Sequence, residues 1–214
     1  MLRRQYNLTQ EELSQKSGVG KLPQMKLLIL NASPRPKGNI SQMLATMQTQ
    51  AESLGCETEI IKTNGLTIKP CTGCMKCRSA GRCSLPHDDA QRVLNLIRQC
   101  DVLIIGAPCY WGSMPGTLKV LFDRMVYGFI NTTKGLPKPL LKGKRCILVS
   151  TSTTPWPLNI IMHQSHGVVR SLKEICRLGG LKIVSVIEKG GTRHNTSLTH
   201  KEARKCRQAI LKLS

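Results

Sequence analysis

Apolar residues gather into five short runs along this chain, and between the runs they recur every three or four positions. KLLILN at 26–31, TEIIK at 58–62, DVLIIGAP at 101–108, RCILVST at 145–151 and KIVSVI at 182–187 are the runs. Runs of this length, bounded by Gly, Pro and Ser, suit parallel strands buried on both faces. Helical spacing predicts helices over 40–54, 88–98, 116–126, 165–178 and 199–212. Asp88 and Asp89 suit the start of the second of these. Five strands alternating with five helices predict an α/β fold, a doubly wound five-stranded parallel sheet with helices on both faces. With 214 residues, 40% of them apolar, the chain can bury one full core. We expect one such domain over 25–214, with a cysteine-rich insertion at 69–87, preceded by an extension over 1–24.

Charge and composition narrow the partners without naming one. The formal net charge is +20. Residues 130–214 hold sixteen Lys and Arg against three Glu and no Asp. Such a surface attracts nucleic acid, but equally phosphorylated cofactors and anionic substrates. No basic stretch is interleaved with aromatics, as single-strand binders require, so a solvated basic face is favoured over a nucleic-acid site. The opening residues are polar, and no apolar run approaches the roughly 20 residues that span a bilayer. A reducing cytoplasm is therefore expected, with no membrane contact.

Two loops at strand ends carry candidate chemistry. NASPRPKGNIS at 31–41 follows the first strand and offers Ser33, Asn39 and Ser41, with Gly38 as a hinge. No Walker or dinucleotide-binding glycine motif occurs in the chain. A helix start with free N–H groups, beside Arg35 and Lys37, can nevertheless hold a phosphate. APCYWGSMPG at 107–116 follows the third strand and sets Tyr110 and Trp111 at a sheet's carboxyl end, where open α/β sheets bind ligands. Five of the seven aromatics fall between 110 and 129; Phe122 reads as core, Tyr110 and Trp111 as ligand contacts. His163 and His166, near the start of the fourth helix, read as polar surface with a possible touch on substrate.

PCTGCMKCRSAGRC at 70–83 places Cys71, Cys74, Cys77 and Cys83 within fourteen residues. Such spacing can surround a [4Fe–4S] cluster, with Gly81 helping the chain return for the fourth thiol. A four-cysteine zinc site usually has a longer insert between its pairs. Redox-active thiols and a hairpin without any ligand are the other readings. Disulfides are disfavoured by the expected compartment.

Taken in order, LLILNASPRPKGNIS, IKPCTGCMKCRSAGRCSLPHDDA and GAPCYWGSMPGTLKVLFDR resemble the flavodoxin-like NAD(P)H-dependent FMN reductases, in particular their iron–sulfur flavoprotein branch. The resemblance covers roughly residues 25–187. It implies a flavodoxin-like fold with FMN. Ser33, Arg35, Asn39, Ile40 and Ser41 would hold the phosphate, with Lys37 nearby. Pro108, Cys109, Tyr110, Trp111, Gly112 and Ser113 would line the isoalloxazine ring, and STSTTPW at 150–156 would form a third wall. It also implies a homodimer or homotetramer.

The expected function is an FMN-dependent oxidoreductase that passes electrons from NAD(P)H to a small acceptor such as a quinone or a nitro- or azo-aromatic. The alternative is an iron–sulfur flavoprotein carrier fed by ferredoxin, its cluster on the four cysteines. FMN supplies the redox chemistry, so no catalytic side chain is assigned. RRQYNLTQEELSQKSGVGK at 3–21 resembles the first two helices of a repressor-type helix-turn-helix domain. It stops before the supporting helices such a domain needs, and reads as an accessory helix or an upstream extension.

Overall fold

The structure, a computed structural model, describes residues 24–132 and 136–213. The reading of residues 3–21 as a helix-turn-helix fragment lies outside the described residues. From the first strand onward the order is β1 (Lys26–Asn31), α1 (Asn39–Ser53), β2 (Glu57–Lys62), α2 (Lys76–Ala80), α3 (Asp89–Gln99) and β3 (Val102–Pro108). Then follow α4 (Gly116–Phe129), β4 (Ile130–Asn131), β5 (Lys138–Pro139) and β6 (Arg145–Thr151). The chain continues through α5 (Leu158–Ile161), α6 (Gln164–Gly179), β7 (Lys182–Lys189) and α7 (His200–Leu211).

Five strands form one parallel sheet in the order β2-β1-β3-β6-β7. Successive side chains on a strand point to opposite faces, and here both faces are covered. Leu28, Leu30, Leu103, Ile105 and Leu148 bury against α3, α4 and α6. Leu27, Ile29, Val102, Ile104 and Val149 bury against α1 and α7. The expected flavodoxin-like α/β sheet is the observed one.

Local chemistry fixes the elements that flank the sites. Asp88 caps α3, its Oδ1 accepting from the Ala90 N–H at 3.0 Å, while Gln91 accepts from the Asp88 N–H at 2.9 Å. Thr199 and Glu202 make the same reciprocal box at α7. Gly106 lets α1 lie on β3, since a Cβ there would stand 2.7 Å from Leu44 Cδ1. Two differences from the sequence pattern have packing causes. Helix α4 runs on to Phe129, which is buried and meets Phe122 edge-on at 5.7 Å. Within the cysteine segment a single helical segment, α2, forms between Met75 and Gly81, both in the left-handed conformation.

Candidate functional site

The carboxyl ends of β1 and β3 are adjacent, and the order of the sheet reverses there, so their loops part to leave a crevice. A cavity of about 590 Å³ opens at that point, within the size range of cofactor sites. Its floor is the 33–40 loop and the start of α1. The Asn31 carboxamide oxygen accepts from the Ser33 N–H at 2.9 Å, and Ser33 Oγ accepts from the Arg35 N–H at 3.2 Å. Gly38 provides no side-chain cap, and the first intrahelical bond runs from the Gln42 N–H to the Gly38 carbonyl at 3.0 Å. The N–H groups of Asn39, Ile40 and Ser41 therefore precede any intrahelical acceptor. Arg35 and Lys37 line the same end, and Asn39 Oδ1 is buried without a hydrogen-bond partner. A cradle of N–H groups, two cations and the positive end of a helix suits a phosphate.

One long wall comes from β3. Pro108, Cys109 and Tyr110 line it, and the Cys109 N–H donates to the Thr151 carbonyl at 2.7 Å. Burial pushes the Cys109 thiol above its usual range, against smaller opposing bonds from the Gly112 and Ser113 backbone. The thiol faces the Gln164 carboxamide oxygen at 3.5 Å and is protonated at neutral pH. Thr151, Ser152 and Thr153 form the hydroxyl-rich wall at the end of β6.

The loop between β7 and α7 closes the remaining side. Thr192 and Thr196 reach the cavity from it. Asn39 Nδ2 donates to the Asn195 carbonyl at 2.8 Å, and Gln42 Nε2 to the Thr196 carbonyl at 2.7 Å. Lys189, buried at the end of β7, ties the loop from within. Its Nζ donates to the Ser197 carbonyl at 3.0 Å and to Glu202 Oε2 at 2.9 Å. Burial alone would raise the Glu202 pKa, but bonds from Thr199 and Lys189 outweigh it and hold the carboxyl below its ordinary range.

Ser33, Arg35, Lys37, Asn39, Ile40, Pro108, Cys109 and Tyr110 thus meet around one cavity. Ser41 does not line it, for its hydroxyl donates to the Arg35 carbonyl at 2.9 Å and braces the loop. Trp111, Gly112 and Ser113 stand outside it on a tight turn, in which Tyr110 and Ser113 exchange backbone bonds. Trp111 is fully exposed, with φ at 52°. Thr192 and Thr196 escape sequence reasoning. The only signal was a polar GGTRHNTS loop at 190–197, after the last strand of the sheet.

The four cysteines form a second locus. Between 69 and 87 no residue is buried. Cys74 Sγ lies 3.2 Å from the Ser84 hydroxyl, and the Gly73 N–H donates to Cys71 Sγ at 3.5 Å. Partial burial raises the Cys77 pKa, and the charges of Cys83, Cys71 and Cys74 raise it further. Cys71, Cys74 and Cys83 are thus each within electrostatic reach of Cys77. Among the described residues, however, no three Cys, His, Asp or Glu side chains converge on a point that could hold one ion. Four soft sulfur donors, close but not converged, fit the larger iron–sulfur cluster in kind better than a single bare ion.

Sheet order and switch-point crevice define a flavodoxin-like α/β protein with a nucleotide-sized site. The family profile of NADPH-dependent FMN reductase matches residues 25–200, and the chain belongs to that family. It is 40% identical over 100 residues to an iron–sulfur flavoprotein of Archaeoglobus fulgidus, covering 47% of this chain and 48% of that protein. It is 34% identical over 100 residues to one of Methanocaldococcus jannaschii, covering 47% of this chain and 51% of the other. The match spans about half the length of these curated relatives. In fold, the chain is similar to the NAD(P)H:quinone oxidoreductase of Methanothermobacter marburgensis, with a TM-score of 0.68 at 19% identity, covering 89% of this chain and 98% of that one.

Proposed function

We propose that the chain is an FMN-dependent oxidoreductase that takes electrons from NAD(P)H and delivers them to a small acceptor such as a quinone or a nitro- or azo-aromatic. The observation that carries this is the cavity, which joins a phosphate cradle to a long wall of backbone and hydroxyl groups. FMN, when bound, supplies the hydride and single-electron chemistry. The N–H groups of 39–41, with Arg35 and Lys37, hold the phosphate. Pro108, Cys109 and Tyr110 would hold the ring, and Thr151, Ser152 and Thr153 would offer it hydroxyl groups. Thr192 and Thr196 exclude water from the phosphate end. Trp111, Gly112 and Ser113 form the outer turn, where the acceptor or a second copy in a homodimer or homotetramer approaches. Residues 1–24 are an extension to the flavin domain, and the working compartment is the cytoplasm; among the described residues no helix is long and apolar enough to cross a membrane.

A second reading is favoured by a separate observation, the placing of Cys71, Cys74 and Cys83 on one short segment within electrostatic reach of Cys77. On it, Cys71, Cys74, Cys77 and Cys83 hold a [4Fe–4S] cluster, and the protein exchanges single electrons with a ferredoxin. The names of the two curated relatives support it. Both readings are tested on one anaerobic preparation, by absorption spectroscopy with FMN, iron and sulfide assays and NAD(P)H oxidation. FMN with about four irons and four sulfides is expected for the carrier. FMN without iron, with steady NAD(P)H oxidation, is expected for the plain reductase. Protein that binds no FMN contradicts both.

A further inference from the structure

Beneath the cysteine hairpin lies an arginine that no part of the flavin site uses. Arg124, on α4, has no exposed side-chain surface. Its Nη1 donates to Asp88 Oδ2 at 2.7 Å and also to the Lys69 carbonyl. Those two partners are the roots of the hairpin, one at each end, so a single nitrogen ties the loop shut. The other two nitrogens, Nε and Nη2, are buried and have no hydrogen-bond partner. A buried donor without an acceptor is destabilising, and a guanidinium more so.

Cys83 lies within electrostatic reach of Arg124. Burial works against the arginine's charge, while Asp88 and then the Cys83 sulfur support it, and the net effect raises its pKa. Tyr127, three residues further along α4, is raised first by burial and then by the charge of Cys83. Arg124 and Tyr127 thus lie within electrostatic reach of Cys83, at the end of the hairpin that Asp88 roots. Asp88 pairs with one nitrogen of the guanidinium and leaves the other two free, and removing Arg124 would leave the Asp88 carboxylate unbalanced beside the hairpin. It also accepts from the Lys69 N–H at 3.2 Å and the Ala90 N–H at 3.0 Å, at the positive end of α3. Lys76, Arg78 and Arg82 lie on the hairpin itself but are exposed, where water and salt screen them. Arg124 is not screened in this way.

We propose that Arg124 is the built-in counter-cation of the hairpin, its unpaired N–H groups reserved for anionic sulfur on the Cys83 side, and that it sets the potential of an iron–sulfur cluster held there. The inference rests on the cluster reading above. Adding one electron to the cluster, with no proton, leaves it and its four thiolates one unit more negative. A fixed cation close by favours that reduced state, so its removal lowers the potential. Arg124 touches neither flavin nor substrate and acts as a positioning and potential-setting residue.

The test is a redox titration of the anaerobic, iron-loaded full chain with dithionite as the one-electron donor, followed by EPR, for wild type, Arg124→Met and Arg124→Lys. Arg124→Met is expected to lower the reduced-to-oxidised ratio at a given potential about tenfold, a fall of about 59 mV for a one-electron couple. Arg124→Lys keeps the charge and should recover most of that shift. Should Arg124→Met fail to fold, Arg124→Gln also removes the charge but keeps a hydrogen-bond donor toward Asp88 and the Lys69 carbonyl, and is expected to show the same fall. Equal potentials in all folded variants overturn the inference and leave the cluster reading standing. A wild-type protein that takes up no iron or sulfide overturns the cluster reading and this inference with it.

Discussion

The cavity and the cysteine hairpin are built in opposite ways. Every wall of the cavity continues a strand of the central sheet and is tied across the chain, as where Asn39 reaches Asn195 and Cys109 reaches Thr151. The hairpin has no buried residue from 69 to 87 and is fastened at its roots by Arg124, Asp88 and Asp89, whose Oδ2 accepts from the Thr67 N–H at 2.8 Å. One region is shaped by the fold before any ligand arrives. The other has little burial of its own, so order within it depends on the clamp beneath it and on whatever its thiols hold.

The largest break in that contrast should come from Gly167→Ala. A Cβ at Gly167 would stand 2.0 Å from the Gly112 carbonyl oxygen, and backbone cannot yield as a side chain can. We expect a loss of about 3 kcal/mol in urea unfolding and weaker FMN binding in a fluorescence titration, with the hairpin thiols as reactive as before. Unchanged FMN binding would separate the 109–113 turn from the cavity wall.

A smaller loss is expected from Lys189→Met, which removes the tie inside the 190–198 loop. Breaking a buried pair costs about 3–5 kcal/mol, and because Glu202 is a quarter exposed we expect about 2 kcal/mol. The pH dependence has a defined sign. The Glu202 pKa is lowered in the folded chain, so its contribution is present above the ordinary carboxylate range and drains away as pH falls through the lowered value. In Lys189→Met the folded and unfolded pKa values of Glu202 draw together, so this part of the acid loss should shrink, which a series of thermal midpoints would show.

The smallest effect is kinetic and falls on the hairpin. Lys76, Arg78 and Arg82 are exposed trypsin sites on a segment without burial, and we expect the first cut there, with the sheet and its loops intact. Loading with iron and sulfide should slow that cut. Cleavage first within 190–198 would reverse the ranking of the two regions.

Strands were readable in the sequence because burial on both faces makes each an unbroken apolar run, as in DVLIIGAP. The 31–41 loop was readable because its small residues and basic pair sit where a strand hands over to a helix. Thr192 and Thr196 were not, since they reach the cavity only after a loop folds back over α1, more than 150 residues away in sequence. Arg124 was hidden for a similar reason. In GTLKVLFDRMV it sits beside the apolar stripe of Leu118, Leu121, Phe122 and Met125, and only Asp88 and Lys69, brought over from another segment, make its burial tolerable. Local patterns report on neighbours along the chain, and all three of these residues answer to distant ones.

The late position of Thr192 and Thr196 also orders events during synthesis. A nascent chain that has released β1, β3 and β6 from the ribosome carries the residues of three walls of the pocket, and a domain folds as a unit. The fourth wall, with the Lys189–Glu202 latch that secures it, is translated after the other three. Firm retention of a phosphorylated cofactor must then wait until the 190–202 segment has emerged and closed, so cofactor retention is expected to follow the folding of the sheet rather than to seed it.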